Sequence, residues 1–415
     1  MMAKKVIVLD DDPTGTQTVH GIPVLTTWGV DELERELYTN LPCFYILTNT
    51  RAFPLERAKE INTEIGENLR EASRRVQKDF ITVSRSDSTL RGHFPGEVDA
   101  LAEALGYDFD AWLIIPFFEA GGRVTTDDVH YVKTGENLIP AGETEFARDQ
   151  MFGFHSSNLR EWVEEKTRGR IKAGEVQSLS LESIRAGKTL EQLLSWPKGC
   201  VGIVNLENDD DLQTFVRGLS EAEERGKRYL YRTAASFVAA KAGIAPKPLL
   251  TKRDLQLSSS HGALIVVGSY VQKTSEQLGR LLQVSGVTGL EVDAEKLLNP
   301  NQSQKEIERV SLQVNEELQK GTDVVVYTSR TLLTGHDARA SLIMGKQISE
   351  SLVKIVQSVS VRPRYFIAKG GITSSDIATQ ALKVRRAMVE GQILPGVPVW
   401  RLGQESRFPD LCYVV

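Results

Sequence analysis

Acidic residues follow the first apolar segment of the sequence. The motif DDDPTGTQTV begins at Asp10, directly after residues 5–9, whose β-branched run predicts a strand. Because ligands of open parallel sheets bind beyond the carboxyl ends of the strands, we expect Asp11 and Asp12 to point into a binding crevice. Adjacent carboxylates there can accept a hydroxyl proton, bind sugar hydroxyls or hold a cation. The alternative is that these acids only cap a turn.

A second polar motif, SRSDSTLRGHFPGE, extends over residues 84–97 after another predicted strand. It contains an acid (Asp87), hydroxyl groups and a guanidinium (Arg91), and an arginine can bind a carboxylate through two parallel hydrogen bonds. These residue types suit a small acidic substrate that carries several hydroxyl groups. The alternative is an ordinary helix start, with a serine or threonine N-cap and a surface contact between Arg91 and Glu97.

A third motif, GGRVTTDDVHY at residues 121–131, lies in a weakly periodic stretch that we interpret as an extended excursion over the first domain. It contains Arg123 and His130. The histidine can act as an acid, as a base or as a partner of a sugar hydroxyl. A single loop histidine more often does none of these, so both interpretations stay open.

Two segments in the second half have the pattern strand, small-residue loop, Ser or Thr cap, helix. They are VVGSYVQKTSEQ at residues 266–277 and FIAKGGITSSDIA at residues 366–378. Free backbone N–H groups and a helix dipole favour a phosphate at such a turn, and Gly370 and Gly371 would let a nucleotide approach the backbone. Tight strand–helix packing explains one such turn equally well, but two in one domain favour a nucleotide site.

Several other catalytic motifs do not fit the sequence. Gly187–Lys188–Thr189 resembles the end of a P-loop, but Glu182 stands where that motif requires glycine. The sequence has no HExxH, and neither GxSxG nor GxGxxG follows a predicted strand. Zinc hydrolases, serine hydrolases and dinucleotide-dependent dehydrogenases are therefore disfavoured.

The elements that must position these motifs are repeated strand–loop–helix units, which are typical of parallel α/β folds. At 415 residues the chain is long enough for two domains. We predict a substrate domain over residues 1–245, a linker over 246–262 and a nucleotide domain over 263–415. The predicted strands cover residues 5–9, 44–48, 80–83, 112–115, 200–204, 263–267, 323–327 and 365–368, and the predicted helices include 54–78, 96–104 and 210–225.

Composition narrows the class of protein further. Hydrophobic residues make up 41% and charged residues 25% of the sequence, as in globular proteins. The net charge of −5 is spread without basic blocks, so we expect no nucleic-acid partner. The three widely spaced cysteines argue against a disulfide framework or a zinc site. No apolar run is long enough for a signal peptide or a membrane span, which predicts a cytoplasmic protein without a membrane partner.

Taken in order, the motifs resemble those of the four-carbon acid sugar kinase family, over nearly the whole chain. The matching elements are DDxTG at residues 11–15, DSTLRG at 87–92, GR–TT–HY at 122–131, YRTAASFV at 231–238, GSY at 268–270 and KGGITS at 369–374. The resemblance implies two α/β domains, each with a mainly parallel sheet flanked by helices, and an active site in the cleft between them. It also implies an ATP- and Mg2+-dependent kinase that phosphorylates the terminal hydroxyl of erythronate, threonate or a 3-oxo relative.

The same resemblance assigns roles to residues. A magnesium ion and backbone amides would neutralise the phosphates while a carboxylate orients the attacking hydroxyl, a role for which we favour Asp12 over Asp87. The expected substrate contacts are Asp11, Arg85, Arg91, Arg123 and His130. The expected ATP contacts are Ser269, Gly370, Gly371, Ile372 and Thr373.

Two departures from the family pattern affect these expectations. Arg85–Ser86 stands where many members have lysine, so an arginine would meet the substrate carboxylate with different geometry. The chain stops at residues 411–415 without the family's terminal glycine-rich turn, so part of the nucleotide site is expected to be absent from this sequence. Two alternative functions stay open: a dehydrogenase or aldolase of the same acids, and an inactive binding or effector protein on this fold. The oligomeric state also stays open between a monomer and a homo-oligomer.

Overall fold

The computed structural model describes residues 4–257, 260–268, 272–330 and 338–415. Its chain divides into two compact units, Met1–Lys247 and Pro248–Val415. Each unit combines a mainly parallel sheet with flanking helices, so the predicted two-domain α/β class is confirmed.

The first unit contains eleven of the described strands and eight of the described α-helices. The strands are β1 (Lys5–Asp10), β2 (Ile22–Leu25), β3 (Cys43–Leu47), β4 (Phe80–Arg85), β5 (Ala111–Ile115), β6 (Arg123–Thr126), β7 (Val129–Thr134), β8 (Asn137–Pro140), β9 (Gln177–Leu179), β10 (Cys200–Val204) and β11 (Tyr229–Thr233). The helices are α1 (Val30–Tyr38), α2 (Leu55–Val76), α3 (Gly96–Leu105), α4 (Leu159–Lys166), α5 (Leu181–Arg185), α6 (Thr189–Ser195), α7 (Asp209–Glu224) and α8 (Ala235–Lys241).

Eight of these strands form one parallel sheet in the order β2-β3-β1-β4-β11-β5-β10-β9. The central strands are apolar on both faces, as sequences of covered parallel strands are. Helix α2 buries one stripe, which includes Ile61, Ile65 and Leu69, against this core. The predicted strands and helices of this unit are thereby confirmed, with shifts of a few residues at their ends.

The stretch that follows β5 differs from the predicted excursion. Strands β6, β7 and β8 pair antiparallel into a separate three-stranded sheet. These strands have only four to six residues each, too few for their alternation to be visible in the sequence. Backbone bonds between Thr125 and Leu206 and between His130 and Ser157 attach this small sheet to the rest of the unit.

The second unit contains the remaining described elements. Its strands are β12 (Leu264–Val267), β13 (Val287–Val292), β14 (Asp323–Thr328), β15 (Phe366–Lys369), β16 (Arg386–Leu394), β17 (Val397–Leu402) and β18 (Cys412–Val414). Its helices are α9 (Gln272–Leu281), α10 (Ala294–Leu298), α11 (Ser303–Gln319), α12 (Ala338–Gln357) and α13 (Gly371–Asp376), and a π-helical turn follows at Ile377–Ala381.

The sheet of the second unit has the order β13-β14-β12-β15-β18-β17-β16. It is parallel from β13 to β18, while β17 and β16 are antiparallel. Leu250, within the stretch interpreted as a linker, donates its N–H to the Gln392 carbonyl at 2.7 Å and is buried near Val399. No helix in the described ranges combines the length and apolarity that crossing a bilayer requires.

Candidate active site

The carboxyl ends of the central strands of the first unit meet at one edge of the sheet. Asp10, the last residue of β1, is paired in register with Leu47 of β3 and with Arg85 of β4. Thr233 of β11 is in register with the same arginine. The loops that follow these strands therefore start side by side, and they carry most of the polar residues singled out in the sequence.

Arg51 connects the acidic residues of these loops. Its Nη2 lies 2.7 Å from Oδ2 of Asp12, its Nε lies 3.2 Å from Oδ1 of Asp11, and its Nη1 lies 3.9 Å from Oδ1 of Asp87. Arg51 was not among the residues predicted from the sequence, although it follows the predicted strand at residues 44–48 and the strand-end rule indicates it. One guanidinium thus holds three carboxylates together.

Asp12 also caps the short 3-10 helix Pro13–Thr18. Its Oδ1 accepts a hydrogen bond from the Thr14 N–H at 2.9 Å and another from the Thr14 hydroxyl. The sequence left open whether Asp12 caps a turn or belongs to a polar binding cluster. In the structure it does both. Burial acts to raise the pKa of Asp12, but Arg51 and the bonds from Thr14 outweigh it, so the pKa lies below its ordinary value. The carboxylate is therefore ionised at neutral pH.

The second loop folds around an ion pair between Asp87 and Arg91. Nε of Arg91 lies 2.7 Å from Oδ2 of Asp87, and the Thr89 hydroxyl donates to the same oxygen. Burial opposes ionisation of Asp87, but Arg51 and Arg91 together hold its pKa well below the usual range. The alternative helix start is wrong, because α3 begins after Pro95 without a side-chain cap and Glu97 is buried rather than paired with Arg91.

Arg232 supports this loop from the protein interior. It is only 1% exposed and donates to the Arg91 carbonyl at 2.9 Å, and to the Ser86 hydroxyl and the Asp87 carbonyl at 3.3 Å each. Its guanidinium also lies over the Trp162 ring, 5.4 Å from the centroid. Burial lowers its pKa to about 10, which still leaves it charged at neutral pH. The motif YRTAASFV contained this residue, but no strand was predicted there, so its role could not be seen.

His130 lies beside the same loop and is completely buried. Its Nε2 donates to the Ser88 carbonyl at 2.8 Å, and its Nδ1 lies 2.9 Å from the Thr125 hydroxyl and accepts from it. Burial lowers the pKa of His130 to about 4, so the ring is neutral at physiological pH. In this structure His130 thus joins the small sheet to the loop through both ring nitrogens.

Arg85 and two further acids lie beneath the cluster. Nη1 of Arg85 is 3.3 Å from Oδ1 of Asp10, and both side chains are buried. Burial raises the pKa of Asp10 to about 7 despite the opposing effect of Arg85. Glu97 is likewise buried and accepts from Asn62 Nδ2 at 3.3 Å, and burial, reinforced by the charge of Asp11, raises its pKa to about 7.

The raised pKa of Glu97 predicts a pH-dependent stability. Since the folded pKa lies above the unfolded value, the stabilisation is complete below about pH 4.5 and is lost as the pH rises to about 7. We expect Glu97→Gln to remove this loss, making the variant more stable relative to the wild type at pH 8 than at pH 4, by up to about 3 kcal/mol. Urea unfolding followed by tryptophan fluorescence measures this, because four of the five tryptophans lie in the first unit.

The control for this experiment is Glu103→Gln, an exposed position on the same helix. It should leave the pH dependence of the unfolding free energy unchanged. Asp10 contributes a slope of the same sign, so part of the wild-type dependence should survive in Glu97→Gln. A variant whose unfolding free energy follows the wild-type curve at every pH would contradict the assignment.

Arg123 and Arg91 both lie near the ring of Phe146. The centroid of the ring is 5.0 Å from Cζ of Arg91 and 6.0 Å from Cζ of Arg123. Arg123 also donates to the Gly121 carbonyl. The two predicted carboxylate anchors are therefore brought together by an aromatic residue that the sequence reasoning did not select.

In the second unit the two predicted phosphate turns are adjacent. Strands β12 and β15 are parallel neighbours, with Val267 paired in register with Lys369. A Cβ on Gly268 would overlap the side chain of Thr373, so this glycine permits the close contact between the two turns. Thr373 is consequently buried. Packing of the helix against the strand therefore explains why Gly268 and Thr373 occur in these two turns.

Gly370 and Gly371, unlike Gly268, lie where a ligand can reach the backbone. Gly370 has a φ of 115°, which favours glycine, and it precedes the first residue of α13. Gly371 is exposed, and the side chain of Ile372 is 55% exposed. These three residues are thus accessible to a ligand. Ser269 lies outside the described residues.

The described residues do not group three His, Cys, Asp or Glu side chains in an arrangement able to hold a metal ion. The acids of the first unit are instead neutralised by arginines, as Asp11 and Asp12 are by Arg51.

In comparison with known proteins, the chain matches family models of a sugar-binding domain and of a nucleotide-binding domain. A family model of the sugar-binding N-terminal domain matches residues 6–241, and one of the nucleotide-binding C-terminal domain matches residues 264–415. The chain belongs to the four-carbon acid sugar kinase family, as its motifs indicated.

The curated and solved relatives agree with this membership. The D-erythronate kinase of Heliobacterium modesticaldum (strain ATCC 51547 / Ice1) is 25% identical over 374 residues, which cover 86% of this chain and 79% of the relative. A Haemophilus influenzae protein of the DUF1537 family matches with a TM-score of 0.66 at 16% identity, over 98% of this chain and 95% of its own. A Salmonella typhimurium LT2 protein matches with a TM-score of 0.69 at 16% identity, over 99% of this chain and 95% of its own. The two solved structures establish the fold alone.

Proposed function

We propose that the protein is an ATP-dependent kinase that phosphorylates the terminal hydroxyl of a four-carbon acid sugar: erythronate, threonate or a 3-oxo-tetronate. The observation that carries the proposal is the cluster in which Arg51 joins Asp11, Asp12 and Asp87 at the sheet edge. The relative that acts on D-erythronate and the family's sugar- and nucleotide-binding domains support it.

The substrate is proposed to bind with its carboxylate toward Arg91 and Arg123 and its hydroxyl groups toward the acids. Ionised carboxylates accept hydroxyl hydrogen bonds, and arginines bind carboxylates. Arg51 would leave part of its ion-pair network to contact the substrate. Arg85, Arg232 and His130 are proposed to act from beneath, by fixing the loops that carry these groups.

Asp12 is proposed to orient the attacking hydroxyl and to accept its proton during transfer. Its side chain is 21% exposed, against 12% for Asp87 and 4% for Asp11, so it is the most accessible acid of the cluster. Its lowered pKa keeps it ionised over the physiological range. Asp87 is the second candidate for the same role.

The nucleotide is proposed to bind the second unit at the turn that contains Gly370, Gly371 and Ile372. Gly371 is exposed and Gly370 partly exposed, which allows phosphate oxygens to approach backbone N–H groups, and the exposed isoleucine offers an apolar contact. Thr373, in the helix that begins at Gly371, and Ser269, outside the described residues, are kept as proposed contacts. Magnesium is proposed to enter with ATP, held by phosphate oxygens and water.

A cytoplasmic location is part of the same proposal. All three cysteines are free, and Cys43 and Cys412 are buried. Free thiols are typical of proteins from reducing compartments, which supports this assignment.

The direct test is an assay of the purified 415-residue chain with ATP, magnesium and a panel of four-carbon acids. The panel should contain both enantiomers of erythronate and threonate and the 3-oxo acids, with erythritol as the neutral control. We expect ADP release with at least one acid at a kcat/KM of about 10⁴ M⁻¹s⁻¹ or more. Phosphorus NMR should place the phosphate on the terminal hydroxyl. No turnover with any acid would overturn the proposal.

A further inference from the structure

Phe146 lies close to two positive charges at the edge of the cluster. It belongs to the 3-10 helix Glu145–Arg148 and is half-buried. The guanidinium groups of Arg91 and Arg123 lie 5.0 and 6.0 Å from the centroid of its ring, both within the range in which an aromatic face attracts a cation. One ring therefore contacts both arginines.

The two arginines are unequally neutralised by the protein. Nε of Arg91 pairs with Asp87 at 2.7 Å, and its Nη1 lies 3.8 Å from Oδ2 of Asp149. Arg123 has no carboxylate within ion-pair distance among the described residues, and its buried Nε has no hydrogen-bond partner there. Burial and the charge of Arg91 lower the pKa of Arg123, against the attraction of Asp87.

Two neighbouring cations with too few counter-ions repel each other, and an aromatic face offsets only part of that cost. An anion bound between them would neutralise Arg123 and satisfy its buried donor. A planar carboxylate matches the donor geometry of guanidinium groups, whereas an uncharged hydroxymethyl group would leave the charge of Arg123 uncompensated. The arrangement therefore favours an acid over a neutral sugar.

We infer that Phe146 is a specificity-determining positioning residue, which holds Arg91 and Arg123 side by side so that together they bind the carboxylate of the substrate. This inference rests on the proposed function. Phe146 acts through the arginines and has no part in phosphoryl transfer. Its removal should therefore weaken the binding of the acid and leave the chemical step intact.

The test compares Phe146→Leu, which removes the ring, with Phe146→Tyr, which keeps it. Calorimetry should measure the binding of the best acid from the panel, and steady-state kinetics should give kcat and KM. For Phe146→Leu we expect Kd and KM of the acid to rise roughly three- to tenfold, with kcat changed less than about twofold. Phe146→Tyr should bind the acid as the wild type does. Phe80→Leu serves as the control, since Phe80 is also half-buried but begins β4 at the opposite end of the strand.

A double-mutant cycle separates positioning of the arginines from general packing. In an Arg123→Met background, Phe146→Leu should weaken binding of the acid by a clearly smaller factor than in the wild-type background, because one of the two guanidinium groups that the ring positions is gone. Equal effects of Phe146→Leu in both backgrounds would overturn the inference, as would an unchanged Kd in the single variant.

If the wild type binds no four-carbon acid, the proposed function fails and the inference fails with it. If the wild type binds an acid and the cycle is additive, only the inference fails.

Discussion

The Asp12→Asn variant is expected to lower kcat by about 100- to 10,000-fold, the range typical of the loss of a general base. The amide cannot accept the proton of the attacking hydroxyl, and it loses the ion pair that Oδ2 makes with Arg51 at 2.7 Å. The amide oxygen can still accept the Thr14 N–H, so the 3-10 helix Pro13–Thr18 should keep its cap. The variant should therefore fold, and its defect should be confined to turnover.

The measurement is steady-state turnover of the best acid, with ATP affinity determined separately by calorimetry. ATP binding should stay within about twofold of the wild type, since the nucleotide is proposed to bind the other unit. Asp108→Asn, at a position whose side chain is 87% exposed, is the control and should leave kcat unchanged. If Asp12→Asn keeps wild-type turnover while Asp87→Asn abolishes it, the base is Asp87 and our assignment of Asp12 is wrong.

The Gly371→Val variant is expected to weaken ATP binding by at least about tenfold. Gly371 is exposed at the start of α13, where the phosphates are proposed to bind, so we expect an added side chain to obstruct their approach without disturbing the core. A loss of one or two hydrogen bonds to phosphate corresponds to an effect of this size. Gly370 is a poorer choice for this test, because its φ of 115° would strain any other residue and could unfold the turn.

Gly371→Ala supplies a graded comparison, with an expected loss smaller than that of valine. Thermal melting should show that both variants fold as the wild type does, and the affinity for the acid should be unchanged. Valine at residue 371 with normal ATP affinity would refute the placement of the nucleotide at this turn.

The elements predicted best from the sequence are those whose local pattern matches their final environment. Strands β1, β3 and β10 consist largely of continuous apolar runs, and α2 has one apolar stripe, so their sequence pattern reflects how they are buried. The three-strand sheet at residues 123–140 was missed because its strands are short and β8 is largely accessible. Strand β11 was missed although its motif was recognised, so Arg232 could not be connected with the loop that it supports.

Within the candidate site, the sequence determined which residues stand at strand ends, because alternation and loop composition are local properties. It thereby indicated Asp11, Asp12, Asp87 and Arg91, and its motifs indicated the family. Only the tertiary structure decided which of these groups meet and how their charges balance. Arg51 reaches the cluster from β3, Arg85 turns inward to Asp10, and His130 is buried by the small sheet. Burial and pairing depend on residues far apart in the chain, so no local pattern could specify them.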